Sequence, residues 1–245
     1  MHRDSFYVNP KDVHGDELTF PEDEVRHMYK VLRKKKGDTV WAVDGEGTAY
    51  QVEIQYIGRN GGWGKIRTIR RRLGEPVADI TLAQSVLKGD RFEWLVEKSV
   101  EMGVHRIIPM ITENTVTTAG PQKLARWRRV ALAAMKQCGR SVLPEITEAK
   151  TITQVLALGT GCSCRLIAHP APEGRALLIK AEDQPAVTQK AVLVVGPEGG
   201  FTEEEIAEAG EQGYLAVSLG PRRLRAETAG IVFLSLFLSQ TGELT

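Results

Sequence analysis

Hydrophobic periodicity changes once along this chain, at Gly74-Glu75-Pro76, and that change limits what each side can fold into. Before it, short β-prone runs alternate at residues 5–8, 39–43, 49–57 and 63–69, with Asp44-Gly45, Gly58 and Gly61-Gly62 marking turns. One amphipathic helix interrupts them. Pro21 fits its first turn, and Glu22, Asp23 and Glu24 suit its positive end. Val25, Met28 and Leu32 share a face, and Arg33-Lys34-Lys35-Lys36 before Gly37 closes it. Many short strands plus one helix predict a small β-barrel domain over residues 1–73. Beyond the break, apolar strand-like runs alternate with helical segments, the pattern of an α/β fold with a parallel sheet over residues 74–245. Strands are predicted at residues 79–87, 106–111, 164–168, 191–195 and 215–219. Helices are predicted at 90–102, with Asp90 as N-cap and Glu93 three residues on, at 121–138, at 202–211 with a Thr202/Glu205 capping box, and at 227–239.

Hydrophobic residues make up 42% of the 245 and charged residues 26%, a globular mix that argues against a largely disordered chain. The longest apolar run, residues 231–238, is broken by Ser235 and is too short to span a bilayer. Residues 1–10 are polar and lack the apolar core of a secretory signal, so a cytoplasmic location is the expectation. Cys162 and Cys164 form a C-x-C pair with Cys138 apart; this fits reduced thiols, and neither a disulfide framework nor a metal site is expected. Residues 1–73 hold 14 Lys and Arg against 11 Asp and Glu, and the excess is concentrated in Arg33-Lys34-Lys35-Lys36 and Arg70-Arg71-Arg72. Such knots suit phosphate, although charge alone favours a solvated face.

Two loops carry the candidate chemistry. The run Val192-Leu-Val-Val-Gly-Pro-Glu-Gly-Gly-Phe201 takes a buried strand through a glycine-rich turn into a capped helix, where open α/β sheets place ligands. It has neither the Gly-Lys-Ser/Thr of a triphosphate loop nor the spacing of a dinucleotide fingerprint. A tight structural turn reads the same way. The second loop, Ser218-Leu-Gly-Pro-Arg-Arg-Leu-Arg-Ala-Glu-Thr-Ala229, puts Arg222, Arg223 and Arg225 at a helix start, where the helix dipole opposes them. Function would explain them, and so would pairing with Glu203, Glu204 and Glu205. On helix 121–138, Leu124, Trp127, Val130, Ala131, Ala134 and Cys138 form an apolar face, and Arg126, Arg129, Lys136 and, if the helix runs on, Arg140 a basic one. Glu93, Glu97 and Glu101 align on helix 90–102 as a solvated face.

Gly-Pro-Glu-Gly-Gly-Phe-Thr-x-x-Glu from Gly196, followed by Ser-Leu-Gly-x-Arg-x-Leu-Arg-x-Glu-Thr-Ala from Ser218, closely resembles the RsmE-type uridine-N3 methyltransferases of small-subunit (16S) ribosomal RNA, within the SPOUT superfamily. His27-x-x-x-Val31-Leu32-Arg33, Gly37-Asp38 and Asp44-Gly45 resemble that family's PUA-like domain. Lys88-Gly89-Asp90, Arg126-Trp127-Arg128 and Gln137-Cys138-Gly139-Arg140 also match, with Cys138 standing where Ser is expected and Ala226 where Thr is usual. The resemblance spans nearly the whole chain; the loop at 159–164 does not align.

The resemblance implies a C-terminal SPOUT domain with a trefoil knot, a homodimer, and S-adenosylmethionine as cofactor. Carried over by motif, Gly196, Pro197, Glu198, Gly199, Gly200, Ser218, Leu219, Gly220, Arg223, Leu224 and Thr228 are expected at the cofactor, with Ala168, His169 and Pro170 as a third wall. Arg140 and Arg225 are the candidates for uracil or phosphate contact, and Glu198 and Glu227 for proton acceptance or positioning. The alternative for Glu227 is an ion pair with a nearby arginine. Arg33, Lys34, Lys35, Lys36, Lys88, Arg126 and Arg129 are expected to meet RNA, as rRNA or the assembled small subunit. Two rivals remain: a SPOUT tRNA ribose 2′-O-methyltransferase and a non-catalytic RNA-binding assembly factor.

Overall fold

The computed structural model describes residues 5–59, 61–169 and 190–244. They form two compact units, Met1–Glu75 with Leu132–Leu143, and Pro76–Ala131 with Pro144–Thr245.

The first unit is built on six strands: β1 (Ser5–Tyr7), β2 (Val13–His14), β3 (Glu17–Thr19), β4 (Thr39–Val43), β5 (Thr48–Gly58) and β6 (Gly61–Arg71). They join in the order β1-β4-β5-β6-β3-β2, antiparallel except for β1 beside β4. Alternation along β5 sends Val52 and Ile54 into a core with Phe6, Leu18, Phe20, Val25 and Met28. The turn at Asp44 is fixed by its carboxylate, which accepts the Glu46 and Thr48 amides at 2.8 and 2.9 Å, while Gly45 takes φ +75°. Helix α1 (Glu22–Arg26) is shorter than the apolar spacing predicts. From His27–Val31 the coil widens into a π-helical turn, closed by the Leu32 amide on the His27 carbonyl at 3.1 Å.

The second unit runs β7 (Asp79–Ser85), α2 (Arg91–Glu101), β8 (Arg106–Ile111), α3 (Pro121–Cys138), β9 (Glu145–Ile146), β10 (Lys150–Thr151), α4 (Ile152–Leu158), β11 (Cys164–Ala168), β12 (Lys190–Val195), α5 (Glu203–Glu211), β13 (Leu215–Val217) and α6 (Ala226–Gln240). Helix α3 keeps its predicted bounds and contributes its last residues to the first unit. The strands are all parallel, ordered β10-β8-β7-β12-β11-β13 with β9 also on β8. Their carboxyl ends therefore share one edge of the sheet. Gly230 lets α6 lie close over β7 and α2: a Cβ there would come within 2.7 Å of both Gln84 Oε1 and Leu95 Cδ1. Phe233, Leu234, Phe237 and Leu238 are buried, whereas Leu236 is exposed and Ile231 and Val232 are half-buried. The apolar helix thus has one face in the core and another that the described residues leave partly uncovered.

Asp90 takes the expected N-cap position of α2, but without the side-chain cap. Its side chain makes no cap hydrogen bond; Arg126 on α3 draws both Asp90 (3.6 Å) and Glu93 (2.8 Å) outward. The capping box of α5 forms as expected, and α4 carries another at Thr151 and Gln154. Among the described residues no helix is long and apolar enough to cross a membrane.

Candidate functional site

Three neighbouring parallel strands, β12, β11 and β13, end at the same sheet edge, and the segments leaving them enclose a cleft of about 770 Å³. The volume suits a drug-sized ligand. Ala168 and His169 line it from β11; Gly196, Pro197, Glu198, Gly199 and Gly200 from the loop after β12; Ser218, Leu219, Gly220, Arg223, Leu224 and Arg225 from the loop after β13. Val195, Phe201, Pro221, Arg222, Ala226 and Ala229 complete the wall. Fourteen of the residues singled out in the two loops and at β11, Arg222 among them, are thus brought together. Pro170 lies outside the described residues.

The first loop is anchored from several sides. Gln84 on β7, fully buried, donates through Nε2 to the Gly196 carbonyl (3.4 Å), and Asn114 donates to the Gly200 carbonyl (3.1 Å). Glu205 closes the cap of α5 and also accepts the Glu113 amide at 2.9 Å. A Cβ on Gly196 would lie 3.0 Å from the Phe201 ring, and one on Gly199 would lie 3.0 Å from Asn114. Gly200 differs: it holds φ +77° with open space where a Cβ would point. The second loop is held more loosely. The Ser218 hydroxyl accepts the Gly220 amide at 3.3 Å, and Arg223 Nη2 donates to the Glu198 carbonyl at 2.9 Å, bridging the two loops. Leu219 and Leu224 give the cleft an apolar lining beside this exposed backbone.

Three expected site residues are placed elsewhere. Ala226 and Ala229, three positions apart, face the cleft from α6, which turns Glu227 and Thr228 away from it. Glu227 lies toward Arg91 of α2, whose Nη1 is 4.0 Å from Glu227 Oε2 and 2.8 Å from Glu198 Oε1. Glu227 Oε2 is buried and accepts no hydrogen bond. Arg140 is corrected outright. Its Nε and Nη2 bind Glu75 Oε2 at 3.1 and 2.6 Å, and Glu75 Oε1 also accepts the Ser141 and Val142 amides at 2.9 Å. That buried, satisfied guanidinium holds the first unit together and is not free for substrate. Lys136 likewise leaves the basic stripe, its Nζ 2.6 Å from buried Glu24.

Among the expected RNA contacts, Arg33, Lys35, Lys36, Lys88, Arg126 and Arg129 are exposed and Lys34 is half-buried. Arg126 already faces Glu93. The aligned glutamates of α2 hold no metal-like cluster: Lys98 lies 2.7 Å from Glu97 and 2.8 Å from Glu101. Nor do Glu203, Glu204 and Glu205 pair with the loop arginines among the described residues. Burial pushes the Cys164 thiol up to about 11, which disfavours the thiolate. Gln84, Arg91 and Asn114 were not singled out from the sequence. Each acts on a loop far away in the chain, and no local spacing signals it.

The chain matches the RNA methyltransferase domain family over residues 74–238 and the RNA methyltransferase PUA domain over residues 20–67. It is 30% identical over 241 residues to the ribosomal RNA small subunit methyltransferase E of Synechocystis, covering 93% of this chain and 75% of that one. To its Bacillus subtilis counterpart it is 27% identical, covering 89% and 88%. The crystal structure of ribosomal RNA small subunit methyltransferase E from Neisseria gonorrhoeae bound to S-adenosylmethionine is similar with a TM-score of 0.83 at 32% identity, covering 97% of this chain and 98% of that one.

Proposed function

From the premise that the chain belongs to the RNA methyltransferase family, among the ribosomal RNA small subunit methyltransferases E, we propose that it methylates N3 of a uridine in small-subunit (16S) ribosomal RNA with S-adenosylmethionine as donor. The carrying observation is the cleft at the carboxyl ends of β11, β12 and β13, walled by both motif loops. Its size, its close-approach glycines and its apolar Leu219 and Leu224 fit the cofactor. In this reading residues 1–73 form the PUA-like RNA-binding domain and residues 74–245 the SPOUT domain with its trefoil knot. The uncovered face of α6 serves a homodimer, and the protein works in the cytoplasm. When bound, the cofactor supplies a methyl group on a cationic sulfonium. Gly196, Pro197, Glu198, Gly199, Gly200, Ser218, Leu219, Gly220, Arg223 and Leu224, with Ala168 and His169, hold and orient it.

Uracil N3 is a weak acid and a poor nucleophile while protonated. Arg225, exposed on the cleft wall and permanently charged, stabilises charge that builds on the uracil carbonyl oxygens. Glu198, also on the wall, accepts or orients the N3 proton. Arg91 steers the Glu198 carboxylate, and Glu227 acts through Arg91 as a positioning residue. N3 is hidden in a base pair, so the target nucleotide is unpaired or extruded when it reacts. Arg33, Lys34, Lys35, Lys36, Lys88 and Arg129 hold phosphates, and Arg126 joins them by exchanging Glu93 for RNA.

The test is methyl transfer from labelled S-adenosylmethionine to undermethylated small subunits, with tRNA in parallel, followed by nucleoside mass spectrometry. Label in 3-methyluridine of the small subunit is the expected result. Label in tRNA ribose would keep the fold and overturn the substrate. No label together with no cofactor binding would leave only an RNA-binding assembly factor.

A further inference from the structure

The first unit carries a second concavity, about 640 Å³, that neither the cofactor cleft nor the basic knots account for. Arg26, Tyr29 and Lys30 form one wall and Gly58 and Arg59 the other. The spacing i, i+3, i+4 puts the first three on one side of the coil, opposite buried Val25 and Met28. The π-helical turn at His27–Val31 is the irregular stretch that presents Tyr29 and Lys30, and such turns concentrate at functional sites. Arg59 faces them from the far end of the β5–β6 ribbon. Arg26, Lys30 and Arg59 are all exposed, and among the described residues none makes an ion pair. Elsewhere on this unit Lys65 lies 3.7 Å from Asp16 and Arg67 lies 2.6 Å from Glu53. Three unpaired cations around one hollow make a local positive field suited to a polyanion. The Tyr29 ring, 41% exposed, adds a flat apolar surface among those charges. An acidic peptide has no use for such a ring, and a regular duplex keeps its bases stacked and out of reach; an unstacked base beside a phosphate uses both features.

We propose that this groove binds single-stranded RNA, one unstacked base lying on Tyr29 and the flanking phosphates held by Arg26, Lys30 and Arg59. The inference deepens the reading of the chain as an RNA methyltransferase and rests on it for the choice of RNA. It gives the enzyme a grip on an unpaired segment of its substrate that is separate from the cofactor cleft.

The test measures binding of a fluorescent, unstructured 12-nucleotide RNA, an RNA hairpin of equal length and a poly-glutamate peptide at several salt concentrations. The full chain is compared with Tyr29→Ala, Tyr29→Phe, the pair Arg26→Ala with Arg59→Ala, and a charge control, Lys11→Ala with Lys65→Ala. Melting curves and cofactor dialysis check that each variant is folded. Tyr29→Ala is expected to weaken the single strand by roughly 5- to 100-fold while Tyr29→Phe stays near wild type, since stacking needs the ring and not the hydroxyl. The arginine pair is expected to lower the log–log salt slope by about 1.4, near 0.7 per lost phosphate contact on a single strand, and the control pair to leave it unchanged. Wild-type affinity in Tyr29→Ala, an equal loss for the hairpin, or preference for the peptide would each overturn the proposal. Small-subunit methylation by the wild-type chain is scored alongside. Methylation with normally binding groove variants removes the groove and keeps the activity; no methylation with groove variants that lose RNA does the reverse.

Discussion

The chain junction at Glu75 and the rim of the cleft at Arg91 are assembled from the same two groups. At the junction Arg140 Nη2 lies 2.6 Å from Glu75 Oε2, with side chains 2% and 0% exposed. At the rim Arg91 Nη1 lies 2.8 Å from Glu198 Oε1, with side chains 37% and 36% exposed. Distance hardly separates them; water does. A buried pair has given up its hydration, so losing one partner strands a charge that nothing else can solvate. A half-exposed pair exchanges partners with solvent at little cost, which suits the role proposed for Glu198. The difference assigns the first pair to architecture and leaves the second open to the role proposed for it.

The largest effect is expected from Arg140→Ala. Glu75 would stay buried with only the Ser141 and Val142 amides on it. The expected loss is about 3–5 kcal/mol, because one charge of a buried pair is left alone. That corresponds to a fall in Tm of roughly 10 °C for a chain of this size. Cofactor affinity of the folded protein should not change, because Arg140 does not line the cleft. An unchanged Tm with lost RNA methylation would return Arg140 to the chemistry and dissolve the comparison.

A smaller effect is expected at the rim from Gly199→Ala. The new Cβ would meet Asn114 Cβ at 3.0 Å, and crowding of this kind costs about 1–3 kcal/mol. The cost should appear as weaker S-adenosylmethionine binding in equilibrium dialysis, because Asn114 also anchors the Gly200 carbonyl. Gly210→Ala on α5, with open space around it, serves as the control and should gain about 0.5–1 kcal/mol. Equal losses at both glycines would mean that Asn114 does not set the loop.

Tyr214 asks whether burial sets the penalty where it outweighs a neighbouring cation, Arg165, that acts the other way. Its hydroxyl donates to the Val155 and Leu156 carbonyls at 3.4 and 3.3 Å, and burial pushes its pKa from 10.0 up to about 12. The folded state therefore holds the proton more tightly than the unfolded chain. The stability this contributes is complete below pH 10 and is lost as pH rises from 10 toward 12. Against Tyr214→Phe, the wild type should be more stable by about 1 kcal/mol at neutral pH, the worth of a hydrogen bond. The gap should close over that alkaline window in denaturant titrations. A constant gap would show that the hydroxyl ionises as freely folded as unfolded.

These regions also mark what could be read in the chain beforehand. Helix α3 and strands β4, β8 and β11 keep their predicted bounds because period and punctuation are local. The glycine loops were readable for the same reason: strand, glycine and capped helix follow one another directly. The helical wheel placed Lys136 off the apolar face, but α3 ends at Cys138 and Gly139 turns at φ +77°, so the wheel does not reach Arg140. It could not see Glu75 and Glu24, which stand 65 and 112 residues away and turn two apparent RNA contacts into structural ones. Asp90 with Glu93 has the form of a cap, yet Arg126 from another helix claims both carboxylates. Gln84, Arg91 and Asn114 carry no local signal, since their work exists only once β7, α2 and the segment after β8 meet the cleft.

Arg91→Ala carries the smallest expected change in stability and the sharpest test of the comparison. Loss of a half-exposed pair should cost less than about 1 kcal/mol and vanish in high salt. Turnover should fall further than stability suggests, on the order of 10- to 100-fold, because Glu198 would lose the group that orients it and displaced catalytic groups are costly. Cofactor affinity should stay within about twofold, since Arg91 is not on the cleft wall and orientation is the main thing lost. Arg91→Lys should recover part of the turnover, because a single Nη1 atom makes both rim contacts and an ammonium can stand in for it. At the junction Arg140→Lys should recover little, because Nε and Nη2 share the Glu75 oxygen in a fork that lysine lacks. If Arg91→Ala turned over at the wild-type rate, the rim pair would be an ordinary surface contact and Glu198 would find its place without help.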